Sequence, residues 1–166
     1  MRRGLKLVPL LLLLGVTAAR AEAPLAVPQI EAIRVHKAAR TMDLYADGRV
    51  VQVIRGLQLG DQPIGPKRFE GDERTPEGRY VIDWGNPHSA YHLSLHISYP
   101  NAADTAYARS RGRSAGGMIM IHGQPNAWPA GRVPGDWTDG CIAVSNAQIE
   151  ALYDAVPDGT PIEILP

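Results

Sequence analysis

Glycine and proline set the length of the elements this chain can form. Its 166 residues include 17 Gly and 14 Pro, spread so that apolar runs stay short. Gly admits left-handed backbone, and Pro lacks the N–H that helix and sheet interiors need. Such punctuation argues for short strands and many turns rather than a helical bundle. The chain is 45% hydrophobic and 20% charged, enough apolar surface for a core and against general disorder. The length suits one domain.

Local patterns place the strands. Residues 41–45 alternate apolar and polar side chains, and Asp47-Gly48 follows as a hairpin-type pair. Residues 50–59 resume as a strand rich in β-branched Val50, Val51, Val53 and Ile54. Residues 60–78 read as a long surface loop, a length that points to function. Residues 79–84 form another strand, with Trp84 as core. Over 91–99, Tyr91, Leu93, Leu95, Ile97 and Tyr99 share one face, and His92, Ser94, His96 and Ser98 the other. Residues 101–117 read as a loop, 118–121 as a buried strand ending at His122, and 124–137 as a further loop. The one clear helix is 145–156: Ser145 and Gln148 make a capping box, and Ile149, Leu152, Tyr153 and Val156 an apolar stripe. Residues 161–165 supply a last strand. His36 and His88 read as surface residues.

The N-terminus has the pattern of an export signal. Arg2, Arg3 and Lys6 precede a short apolar stretch, and Ala19-Arg20-Ala21 offers a cleavage site. The apolar stretch falls short of the roughly 20 residues a spanning helix needs. We expect a signal peptide over 1–21, a flexible lead-in over 22–29 and one domain over 30–166. An uncleaved anchor is the alternative. The whole chain is formally neutral, which excludes bulk electrostatic binding of nucleic acid. Cleavage would remove four basic residues and no acidic one, leaving net charge −4 and no stable membrane insertion.

Cys141 is the only cysteine. In an oxidising compartment a lone thiol is either used or buried and inert. His122-Gly123 and Gly140-Cys141 pair a nucleophile with a base, each beside a Gly that permits close backbone approach. That is a Cys/His acyl-transfer pattern. His92 and His96 lie about 13 Å apart on a strand, too far to share an ion. A zinc site joining one of them to His122 and Cys141 is the competing reading.

Three segments then carry a resemblance. Ile121-His122-Gly123 and Thr138-Asp139-Gly140-Cys141-Ile142, with the 15 residues 123–137 between His122 and Thr138, resemble the signature of the L,D-transpeptidase catalytic domain, the YkuD-like family. Residues 71–80 (GDERTPEGRY) and 91–100 (YHLSLHISYP) resemble the upstream stretches of one branch. The similarity spans roughly 40–165. It implies a mostly β, sandwich- or barrel-like domain with one or two short helices. It implies Cys141 as nucleophile and His122 as general base, oriented by the Gly123 carbonyl. It also implies Asp139, Gly140 and Cys141 N–H groups as oxyanion donors, with Thr138 shaping the turn. Neither cofactor nor metal is implied. His96, Trp128 and Trp137 are candidates to line the substrate cleft. Two departures stand out. Asp139 replaces a common His, and an acid there raises the thiol pKa; Ala143 replaces a common Arg.

The implied activity is attack on the L,D-amide of peptidoglycan stem peptides in the periplasm, release of D-Ala, and transfer to an amine to give 3→3 cross-links. Two alternatives stand beside it. The same dyad using water would be an L,D-carboxypeptidase or hydrolase. A non-catalytic wall-binding domain would need neither His122 nor Cys141. Oligomeric state stays open.

Overall fold

The structure is a computed structural model, described here for residues 28–128 and 131–166. The export signal and most of the lead-in lie outside the described residues.

Eight strands form one sheet: β1 (Ala32–His36), β2 (Thr41–Ala46), β3 (Arg49–Arg55), β4 (Gly78–Asn86), β5 (Ser94–Ile97), β6 (Ile119–His122), β7 (Ile142–Ala143) and β8 (Thr160–Leu165). Their order is β3-β2-β1-β8-β4-β5-β6-β7. Pairing is antiparallel except at β1–β8 and β6–β7. The β2–β3 hairpin turns on Asp47 and Gly48, both at positive φ (51° and 69°), which keeps the flanking strands in a right-handed twist. Irregular registers at Leu44/Tyr45 and Ile82/Trp84 bend the sheet. Beyond β3 the chain crosses to the opposite edge, where Gln58 bridges Ala143 and Gly60 bridges Thr138. The two edges thus approach through residues 58–60, and the sheet becomes a half-barrel.

Alternation explains the core. Met42, Leu44 and Ala46 of β2 are buried, as are Ile162 and Ile164 of β8. Helix α2 (Asn146–Ala155) closes the concave side with Ile149, Leu152 and Ala155, and both halves of the Ser145/Gln148 capping box form.

Three expectations need correction. Residues 101–117 contain helix α1 (Ala102–Arg109), capped by Asn101 with Asp104. Only Ala108 of that helix is buried, so no apolar stripe announces it. The strand expected over 91–99 is regular only at Ser94–Ile97; His92 has φ 71° and Tyr91 is part of no strand. Trp84 is not core: it is 36% exposed and stacks on His96 with ring centroids 4.7 Å apart.

Candidate active site

Strands β6 and β7 bring the two reactive residues together. Parallel pairing sets Ile121 beside Ile142 and His122 beside Ala143, so Cys141 enters alongside Met120. Its Sγ accepts the Met120 N–H at 3.3 Å and lies 3.6 Å from the Met118 carbonyl oxygen. His122 ends β6 and is 3% exposed. Both side chains line one cleft of about 290 Å³, together with Tyr91, Met118, Trp137 and Asp139.

His122 is fixed on three sides. Its Nδ1 lies 2.7 Å from the Gly123 carbonyl oxygen. A carbonyl only accepts, so Nδ1 donates, and in the neutral ring Nε2 is left as the acceptor. Tyr91 covers the ring at 4.6 Å between centroids, and Trp137 meets it edge-on at 5.5 Å. Burial pushes the imidazole pKa below its ordinary value; the Gly123 hydrogen bond opposes this without reversing it. Gly123 itself has no room for a side chain: a Cβ would stand 2.6 Å from Asn146 Oδ1 and 2.9 Å from the Tyr91 carbonyl oxygen.

The turn before Cys141 depends on Thr138 and Gly140. Thr138 Oγ1 donates to the Cys141 carbonyl at 2.8 Å and accepts the Gly140 N–H at 3.2 Å. Gly140 has φ 122°, and a Cβ there would collide with the Arg74 carbonyl oxygen. The Gly140 N–H is therefore engaged and not free for an oxyanion. Among the described residues, the Asp139 and Cys141 N–H groups have no acceptor. Burial pushes the Cys141 thiol pKa up, and Asp139 adds to the rise. The Met120 N–H and the Lys67 charge pull it down without cancelling the rise. Both shifts favour the uncharged forms, a thiol and a neutral imidazole.

Polar groups hold the surrounding loops. Arg40 grips Asp136 through two bonds of 2.7 and 2.6 Å, and Asp136 also accepts the Leu59 N–H. Buried Gln58 and Gln124 bond each other at 3.2 Å. Gln58 further donates to the Val133 and Gly135 carbonyls, and Gln124 to that of Val144. On the other side, Asp72 accepts the N–H groups of Arg68, Phe69 and Arg74 and pairs with Lys67 at 2.9 Å. Asp72 thus orders its loop through Lys67 and backbone donors rather than the Arg74 side chain.

The other candidates separate. His96 sits on the same sheet face as His122 by register but bonds Asp83 at 2.6 Å and does not line the cleft. His92 bonds Glu150 at 2.6 Å. Neither joins Cys141, and among the described residues no cluster of three His, Cys, Asp or Glu could hold a metal ion. Trp137 walls the cleft; Trp128 is 41% exposed and lies outside it. Tyr91 is a cleft residue that the strand pattern assigned only to a sheet face. Its neighbourhood to His122 arises because the Gly123 N–H bonds the Tyr91 carbonyl, a contact between distant segments.

Residues 30–164 match the family model YkuD, the L,D-transpeptidase catalytic domain. YafK of Escherichia coli K12, named as a candidate L,D-transpeptidase, is 30% identical over 129 residues, covering 75% of this chain and 46% of YafK. The helical cell shape determining protein Pgp2 of Campylobacter jejuni is structurally similar, with TM-score 0.64, 28% identity and coverage of 82% of this chain and 48% of Pgp2. An L,D-transpeptidase from Mycobacterium smegmatis shares the fold at TM-score 0.53 and 16% identity, covering 82% of this chain and 59% of that one. The chain spans about half the length of the curated relatives it matches.

Proposed function

The chain belongs to the L,D-transpeptidase catalytic-domain family, YkuD, and we propose that within it this protein is a cysteine acyltransferase of peptidoglycan stem peptides. One observation carries the reading: Cys141 and His122 face one cleft, with His122 Nδ1 tied to a carbonyl and its Nε2 left to accept a proton. The bond attacked is the amide between the L-centre and the terminal D-residue of a tetrapeptide. Cys141 Sγ adds to that carbonyl carbon as its proton passes to His122 Nε2. The oxyanion takes hydrogen bonds from the Asp139 and Cys141 N–H groups. The C–N bond breaks, the leaving D-Ala amine takes the proton from His122, and a thioester remains. An amine of a second stem peptide attacks the thioester as it gives a proton to His122; the C–S bond breaks, Cys141 Sγ takes that proton back, and a 3→3 cross-link is formed.

The neutral dyad suits this order of events. Thiolate forms when the substrate arrives, and the buried base is unprotonated at neutral pH. Export to the periplasm through residues 1–21 accompanies the reading, because the substrate lies there. A contribution to cell shape is the corresponding role in the cell. No helix among the described residues is long and apolar enough to cross a membrane.

Product analysis tests the proposal. Purified tetrapeptide muropeptides are incubated with residues 22–166 and with the Cys141→Ala variant. A cross-linked dimer with loss of D-Ala, absent from the variant, is the expected result. Tripeptide without dimer would assign the water-using carboxypeptidase instead. No product of either kind, with Cys141 still open to alkylation, would remove stem peptides as the acyl donor.

A further inference from the structure

Beyond the cleft lies a second groove of about 670 Å³, which shares Gly117, Met118 and Asp139 with it. Lys67, Ser114 and Gly116 form part of its wall. Arg68 and Arg113, next in the chain to the wall residues Lys67 and Ser114, belong to an arginine cluster that the dyad chemistry does not use. Arg111 lies over the Tyr107 ring with its guanidinium carbon 3.7 Å from the centroid. Arg68 takes the same ring at 4.6 Å. Arg113 stacks on Phe69 at 3.9 Å, and Phe69 and Tyr107 adjoin with centroids 5.9 Å apart. Arg111 and Arg113 are exposed. Among the described residues, none of the three forms a carboxylate ion pair.

Physical chemistry makes this arrangement directional. Three like charges gathered on two rings repel one another unless an anion joins them. Arg111 donates from one amino group to the Tyr107 carbonyl at 3.3 Å and the Ser110 hydroxyl at 2.9 Å, which leaves its other N–H groups and those of Arg68 and Arg113 for bonds to carboxylate or phosphate. The groove itself carries Glu70, Glu73 and Asp139. Those acids disfavour an anion inside it and confine anion binding to the arginine rim.

We propose that Arg68, Arg111 and Arg113 form a docking rim for carboxylates of polymeric peptidoglycan, engaging a stem peptide adjacent to the one held at Cys141. This rests on the substrate class proposed above. The continuity of groove and cleft supports it: a strand that presents a peptide to Cys141 runs past the rim. Stem peptides repeat along such a strand, and each carries free carboxylates. A single soluble muropeptide lacks the neighbouring stem peptide that the rim would engage.

The test separates docking from chemistry. An R111A/R113A double variant and a charge-keeping R111K/R113K variant are made in residues 22–166, with thermal midpoints compared to confirm folding. Binding to purified insoluble sacculi is measured by cosedimentation, each variant also carrying Cys141→Ala so that turnover plays no part. The account expects roughly tenfold weaker, less salt-sensitive binding for the alanine variant and partial loss for the lysine variant. Turnover of a soluble tetrapeptide muropeptide by the Cys141-containing forms should stay within about twofold. Unchanged sacculus binding overturns the proposal, as does an equal loss of soluble-substrate turnover. Loss of binding to phosphatidylglycerol vesicles with sacculus binding intact would also overturn it and assign the rim to a membrane. A wild-type protein inactive on every muropeptide, yet showing the arginine-dependent sacculus binding, would refute the chemistry and leave the docking rim standing.

Discussion

The two flanks of the sheet are held together by different forces. On the β1–β2–β8 flank, burial alternates along the strands and, apart from Thr160, the buried side chains are apolar, among them Ile33, Val35, Met42, Leu44, Ile162 and Ile164. Around β6 and β7, the loops that shape the cleft are held by buried polar groups: Gln58, Gln124, Lys67 and Thr138. Burial of aliphatic surface is non-directional and sets stability. Hydrogen bonds fix angles, so the polar flank sets geometry, at the risk that one lost partner leaves others unsatisfied. The fold is built by the first and the site by the second.

Variants on the two flanks should therefore separate stability from activity. The largest effect belongs to Cys141→Ala, which should lower acyl transfer by at least about a thousandfold while leaving the thermal midpoint nearly unchanged. A large fall in midpoint would mean that the thiol is structural. Next comes Asp72→Ala, which strands Lys67 and three backbone N–H groups. Its expected cost is roughly 3–5 kcal/mol by denaturant unfolding. The pH dependence has a definite sign. Burial works against the Asp72 charge, but its backbone donors and Lys67 outweigh burial and hold the carboxyl below its ordinary value. Its stabilisation is therefore complete above about pH 3.8 and is lost as pH falls through the lower folded value.

Ile162→Ala and Gln124→Ala form the direct comparison. The first removes fully buried aliphatic volume, costing about 2–5 kcal/mol with kcat of the folded protein unchanged. The second leaves the Val144 carbonyl and Val133 N–H without partners and should cost roughly 1–3 kcal/mol. It should also lower kcat/KM about tenfold or more by displacing the loop that carries Trp137. Equal kcat losses in both would end the distinction. The smallest effect is that of Asp139→Asn. Removing the negative charge eases thiolate formation, so iodoacetamide alkylation of Cys141 should rise at a lower pH than in the unmodified protein. In the unmodified protein that rate should keep climbing beyond about pH 9. A plateau near neutrality would contradict the neutral-thiol description.

Legibility in the sequence follows the same divide. Residues 41–45, 161–165 and the capped helix α2 announce themselves because alternation and apolar stripes are local consequences of one-sided burial. The five-residue strand β1 has no turn signal before it and escapes notice. Helix α1 buries one alanine and shows no stripe. Cys141 and His122 are legible through their motifs, but their meeting depends on parallel pairing of β6 and β7. No periodicity encodes that pairing. The polar clamps are the least legible. Gln58 and Gln124 are 66 residues apart, and Arg40 and Asp136 are 96 apart. Nothing local marks either member as buried. The sequence also favours His96 for the cleft because it lies on the polar face of the 91–99 alternation, whereas the fold engages it with Asp83 and Trp84.

Intact-protein mass spectrometry of a rapidly quenched mixture of residues 22–166 and a tetrapeptide muropeptide tests the central claim most directly. The account predicts an adduct equal to the muropeptide less its terminal D-Ala, located on Cys141 by peptide mapping and released by hydroxylamine as a thioester should be. Turnover of the same muropeptide with no such adduct, or with turnover retained by Cys141→Ala, would contradict it.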